Sequence, residues 1–167
     1  EPIYASTLPV TDFIQIEPTV GAPATQQTEF WVFFDDDTVY AVARVHESNL
    51  DGMVVNELRR DNATITQNEY VNFVFDTFYD RRNAQIFVVS PAGARMDGQL
   101  TNERQYNGDW NPVWELKTGR FEGGWTIEAA IPFKSLRYRP GRQQVWGLHV
   151  SRYNRWRRGP RVSTRTV

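Results

Sequence analysis

Three aromatic residues stand in one polar stretch, Arg104-Gln-Tyr-Asn-Gly-Asp-Trp-Asn-Pro-Val-Trp-Glu115, where Tyr106, Trp110 and Trp114 keep company with Arg104 and Asn111. Aromatic faces stack on the apolar faces of sugar rings, and Asn or Arg beside them hydrogen-bonds the hydroxyls. Such a site is mostly apolar with a few placed polar groups. These five residues are therefore the candidate carbohydrate-binding surface. The competing reading is that Trp110 and Trp114 staple a long loop to the body of the protein, since large aromatics are usually buried. Trp114, which begins a predicted strand, fits that alternative best.

Carboxylates are plentiful: Asp35, Asp36, Asp37, Asp76, Asp80, Asp97 and Asp109. Asp76 and Asp80 bracket one predicted hairpin turn and are the candidate calcium ligands, calcium taking about six to eight oxygens. Turns also favour Asp for purely local reasons, and no alternating Asp/Asn loop ending in Glu is present. Catalysis finds little to work with. Glycosidases need two carboxylates a set distance apart. No nucleophile elbow, zinc-protease, P-loop or dinucleotide motif occurs. His46 and His149 lie on predicted strands. The module reads as non-catalytic.

Formal net charge is −1 over 167 residues, so the whole molecule is no polyanion binder and nucleic acid is not an expected partner. The basic residues are 17 Arg and 2 Lys, a bias toward the side chain of planar, bidentate contacts. There is no Cys, which excludes disulfides and thiolate metal sites. No apolar run is long enough to span a bilayer, and Glu-Pro-Ile-Tyr at the start shows no signal peptide.

The positioning elements are strands. Residues 1–28 read as an extended leading segment pinned by Phe13, Ile14 and Ile16. Glu29 to Phe34 and Thr38 to His46 flank Asp35-Asp36-Asp37 as a hairpin. In the second of these strands Val39, Ala41, Ala43 and Val45 face inward. Met53 to Arg60 fits a helical turn or a short strand. Tyr70 to Phe78 is a strand with Val71, Phe73 and Phe75 on one face and Tyr70, Asn72, Val74 and Asp76 on the other, and Asn83 to Ser90 returns beside it. Val113 to Phe121 pairs with Trp125 to Ile131 across Glu122-Gly123-Gly124. There Trp125, Ile127, Ala129 and Ile131 share a face, and Pro132 ends the strand. A single turn over Phe133 to Leu136 leads to a last strand, Val145 to Tyr153. Strands at this spacing predict an all-β, antiparallel β-sandwich of immunoglobulin-like or jelly-roll-like architecture. The domain is expected over residues 1–155, with 156–167 as an Arg-rich tail, a linker or the stub of a following domain. Arg152, Arg155, Arg157, Arg158, Arg161 and Arg165 could touch phosphate or anionic lipid.

Gly124-Trp125-Thr126, Glu128, Ile131-Pro132-Phe133 and Leu136, followed by Trp146-Gly147 and Arg152, resemble the late signature of the family 9 carbohydrate-binding-module-like (DOMON-like) superfamily. Thr28-Glu29-Phe30 and Phe34 to Tyr40 agree with its early strands. Val74 to Arg82, then Val89-Ser90-Pro91-Ala92-Gly93, look like a subgroup found at the N-terminus of bacterial envelope proteins, ahead of an outer-membrane barrel. The resemblance covers residues 8 to 156. It implies a β-sandwich that binds oligo- or polysaccharide, structural calcium, and a secreted, periplasmic or cell-envelope location. It also implies where the sugar contacts should be: their positions fall at Thr66, Asn72, Val88 and Ser90, with Trp156 as the second tryptophan, so that particular residue set is absent. The alternative is a module docking on its own chain's barrel or an envelope partner. A third possibility is haem, bound by some distant sandwich relatives through Met and His, for which His46, His149, Met53 and Met96 are the available ligands.

Overall fold

A computed structural model describes residues 2–141, 143–156 and 161–164. In chain order the elements are a short helix α1 (Pro2–Ser6), β1 (Phe13–Glu17), β2 (Thr28–Phe34), β3 (Thr38–His46), β4 (Tyr70–Asp76), β5 (Ala84–Val89), β6 (Arg95–Thr101), β7 (Gln105–Asn107), β8 (Glu115–Phe121), β9 (Gly124–Pro132), β10 (Gly147–Tyr153) and β11 (Arg161–Thr164). Single 3-10 turns stand at Leu50–Gly52, Ala63–Gln67 and Phe133–Ser135. A seven-stranded sheet, β1-β11-β10-β4-β5-β6-β7, packs on a four-stranded sheet, β2-β3-β9-β8, and every pairing is antiparallel. The predicted sandwich is the fold.

Alternation built it. Val39, Ala41, Ala43 and Val45 on β3 and Trp125, Ile127, Ala129 and Ile131 on β9 are each at most 3% exposed, and they meet Val71, Phe73 and Phe75 of β4 in one core. Phe73 and Phe87 stack there with centroids 5.3 Å apart. At the β2–β3 hairpin Asp35 Oδ1 accepts the N–H groups of Asp37 and Thr38, and these bonds, with the Tyr40 hydroxyl, hold its pKa below the usual carboxylate value.

The two sheets are also tied by charge. Arg152 of β10 donates to Glu47 Oε2 at 2.8 Å and to the His46 carbonyl at 2.8 Å, at the end of β3. Asn154 donates to the same Glu47 oxygen. The Arg152 and Glu47 side chains are 3% and 0% exposed.

Three expectations change. Residues 161–164, placed in the tail, form β11, an inner strand of the large sheet between β1 and β10; Val162 enters the core, and Ser163 and Thr164 are buried beside it. Arg152 is buried rather than presented to phosphate or lipid. Arg157, Arg158 and Arg165 lie outside the described residues. Residues 53–60 form neither helix nor strand. Their backbone is held instead by Asn68, whose Oδ1 accepts from the N–H groups of Asn56 and Glu57. Arg59 and Thr64, in turn, hydrogen-bond the Glu57 carboxylate and keep its pKa far below the usual range.

Candidate functional site

The five loop residues singled out by sequence do not converge. Trp114 is 2% exposed. Its Nε1 donates to Asp97 Oδ1 at 2.6 Å, its ring meets Phe87 edge-on at 5.2 Å, and Arg95 covers its other side. It is a core residue and cannot stack on a sugar. Trp110 packs edge-on against Phe87 as well, half-buried. Asn111 accepts from Arg60, which also holds Asp97 Oδ1 and the Pro112 carbonyl, so Asn111 clasps one loop to another. Arg104 is exposed and its N–H closes the turn onto Thr101. Of the three aromatics Tyr106 alone is exposed, at 51%, on β7. Its ring lies over Gly98, where an added Cβ would come within 2.5 Å of it.

Asp76 and Asp80 are spent on their own turn. Asp76 accepts the N–H groups of Asp80 and Arg81, and Asp80 accepts those of Arg82 and Asn83 together with the Asn83 amide. Burial pushes the Asp80 pKa up, but the bonds from Asn83 and Arg82 outweigh it and leave the pKa lowered. Among the described residues no three acidic or imidazole groups gather to hold a metal.

The outer face of the large sheet offers a different arrangement. Tyr70 and Tyr153 lie opposite each other across β4 and β10, and their rings stack with centroids 5.5 Å apart at 18°. Arg155 bonds the Tyr153 hydroxyl at 3.0 Å. Its backbone N–H is fixed by the buried Glu69 carboxylate, whose pKa burial raises despite that bond. On the next rung Asn72 lies between Ser151, whose hydroxyl it accepts, and Val88. The rung after that runs His149, Val74, Ile86, Gly98 across β10, β4, β5 and β6. His149, Val74 and Ile86 are half-buried. The Tyr106 ring lies over Gly98 at the far end. Strands at ~4.8 Å spacing make this trough about 14 Å long. Burial, then the nearby Arg161, lowers the His149 pKa, so the imidazole is neutral at neutral pH and can both donate and accept.

The positions at which the resemblance expects sugar contacts fall beside this trough. Asn72 and Val88 are direct cross-strand neighbours. Val88 is 3% exposed, however, under a small apolar cluster formed with Ile65 and Ala94. Ile65 belongs to the turn Ala63–Gln67, which roofs that part of the face. Ser90 is fully buried, and Thr66 stands exposed on the same turn. Trp156 N–H is bound by Glu69, near Arg155. The haem candidates do not assemble: His46 pairs with Glu29 on the small sheet, His149 faces out from the large one, and Met53 and Met96 pack against separate clusters.

The family described as "carbohydrate family 9 binding domain-like" matches the chain over residues 1–167, and the chain belongs to it. A search of the curated proteins finds no match for the sequence. Among solved structures, a family 9 carbohydrate-binding module from Caldicellulosiruptor kristjanssonii in complex with cellotriose superposes with TM-score 0.64 at 17% identity, covering 98% of this chain and 75% of that one. The same kind of module in complex with glucose gives TM-score 0.58 at 16% identity, covering 98% and 77%. A protein of Bacteroides uniformis ATCC 8492, whose carbohydrate binding is itself inferred, gives TM-score 0.70 at 11% identity, covering 95% and 78%. At these identities the likeness shows the fold.

Proposed function

We propose that this family 9 binding domain-like chain binds a neutral oligosaccharide, without catalysing a reaction on it, along the trough between the Tyr70–Tyr153 stack and Tyr106. The observation that carries the reading is that stack on the same face as a half-buried floor of Val74 and Ile86, two rungs along β4, with a neutral imidazole on the floor rung. Aromatic walls take sugar faces, and a few fixed polar groups take hydroxyls. The floor rung carries no carboxylate, whereas glycoside hydrolysis needs two. The Val74–Arg82 and Val89–Gly93 motifs support a further reading of the chain as an extracytoplasmic module preceding an envelope barrel.

Calorimetry with cellotriose, xylotriose and maltotriose, with and without calcium, tests the site. Saturable binding is expected that weakens roughly ten-fold in Tyr153→Ala, the loss of about 1.4 kcal/mol, and persists in Trp110→Ala and in the absence of calcium. Loss in Trp110→Ala with Tyr153→Ala unaffected would return the site to the 104–115 loop. No binding by the wild type would favour docking. One observation supports that second reading: Phe34, Val113 and Val145 are 78%, 71% and 66% exposed. They lie near the turn Phe133–Ser135, which bonds Asp37 and Val113 and rests against Trp146.

A further inference from the structure

We infer that the outer face of the four-stranded sheet is a second saccharide-binding site, separate from the trough on the large sheet. Helix α1 lays Tyr4 across this face. The Tyr4 ring meets Trp31 at 5.6 Å and Phe33 at 5.7 Å, both edge-on. Its hydroxyl donates to Glu128 Oε1 at 3.4 Å, and the Trp31 indole N–H donates to the Thr7 carbonyl at 3.0 Å. A cavity of about 320 Å³ opens on the β8 side of Tyr4, between Phe33, Tyr40, Glu115 and Lys117. Another of about 530 Å³ opens on the other side, between Trp31, Arg44, Glu29 and Thr126. Both are bounded by Tyr4, Val42 and Glu128, so they are adjoining halves of one groove, set one after the other along the strands.

The chemistry of the groove selects a class of ligand. Its floor is aromatic and aliphatic. Its free charges are mixed in sign: Lys117 lies opposite Glu128 in register, and among the described residues neither Glu115 nor Lys117 engages its side chain in a hydrogen bond or ion pair. A groove built for an ion would carry one sign. Carboxylates and an ammonium dispersed over an apolar floor suit instead a neutral ligand with many hydroxyls, which donates to the first and accepts from the second. The remaining rim is already fixed. Glu29 is held by His46 at 3.0 Å, Arg44 sits 4.8 Å above Phe121, and the Tyr40 hydroxyl donates to Asp35 at 2.8 Å. Groups set in place before binding lower its entropic cost. The groove reaches from the Phe33–Tyr40 rung to the Glu29–Arg44 rung, four residues along each strand or about 14 Å at the usual rise, which suits a short oligosaccharide better than a single ring.

Titration of the full ¹⁵N-labelled chain with cellotriose and xylotriose, followed by amide shifts, separates this site from the trough. The amides of Lys117, Thr126 and Glu128 are expected to shift with their own saturation curve, distinct from that of β4 and β10. Lys117→Ala and Glu128→Ala, both exposed positions, are expected to weaken the first curve five-fold or more and leave the second alone. Tyr153→Ala should do the reverse. Shifts confined to β4 and β10 would overturn the second site and spare the first. Small-sheet shifts that disappear in Tyr153→Ala would show one site only. No shift with either sugar would sink both.

Discussion

Replacing Arg152 by Met should be among the most damaging single changes in this protein, although it keeps the side chain's length and apolar stem. The guanidinium reaches Glu47 Oε2 and the His46 carbonyl at 2.8 Å, with Thr28 Oγ1 at 3.4 Å and the Gln27 carbonyl at 3.5 Å. One charge on β10 thus holds the ends of β2 and β3. Both ionic partners are out of water, at 3% and 0% exposure. Taking away one member leaves Glu47 buried with only Asn49 N–H and the Asn154 amide to solvate it. Breaking a buried pair in this way costs about 3–5 kcal/mol, a large part of the ~5–15 kcal/mol that holds a domain folded. At roughly 2–4 °C per kcal/mol for a chain of this size, the melting temperature should fall by about 6–20 °C. Urea unfolding of Arg152→Met, Glu47→Gln and the double variant measures it. The double variant should recover ~1 kcal/mol or more relative to the sum of the singles, because the uncompensated charge is gone. A cost below ~1 kcal/mol for Arg152→Met, the scale of an exposed pair, or strict additivity would refute the claim that this pair joins the sheets as a buried unit.

Two more outcomes follow from the core. Asp97 is 1% exposed, and burial raises its pKa against the opposing bonds from Trp114 and Arg60. A carboxyl raised on folding favours the native state below its unfolded value near ~3.9, and that contribution is lost as pH rises through the folded value. Asp97→Asn should therefore flatten the fall in stability between about pH 4 and the folded value, and parallel slopes for variant and wild type in urea melts would contradict this. Gly124→Ala should destabilise by ~2–3 kcal/mol, because the new Cβ would lie 2.3 Å from the Val45 carbonyl, part of the backbone, as well as 2.4 Å from the Phe121 ring; full rescue by Phe121→Ala would show that the ring alone was the obstacle.

How much of this could be read beforehand depends on whether apolar residues alternate. β3, β4 and β9 carry the clearest alternation and their inner faces were legible, although Val42 on the outer face of β3 is buried too, β4 stops at Asp76 rather than Phe78, and β9 takes in Gly124 and Pro132 at its ends. β6 reads Arg-Met-Asp-Gly-Gln-Leu-Thr, and its most buried members are Asp97 and its neighbour Gly98. No period marks it as a strand, because a hydrogen bond to Trp114 replaces hydrophobicity as the reason for burial. β11 is four residues long, two of them Ser and Thr buried by sheet neighbours rather than by their own character. The candidate site failed differently. A polar loop rich in Trp has the composition of a sugar site, but Trp114 found its partner in Asp97, seventeen positions away. Tyr70 and Tyr153, plain strand residues in sequence, become a stacked pair only through the register of β4 with β10. Of the five loop residues, Tyr106 alone reaches the trough. Trp31 gave no signal either, since its burial depends on where the leading helix crosses the sheet.

The place of β11 in the large sheet bears on the order of assembly. β1 precedes the other described strands in sequence, yet its partner in the sheet is β11, which follows them all, with Phe13 opposite Thr164. The sheet's β4-to-β7 portion can form from neighbours in sequence while synthesis continues. Its β1 edge must wait for β11 and then close the widest sequence separation of any described strand pair, a slow kind of contact. Docking of β1 on β11 should therefore be among the last events as this domain folds.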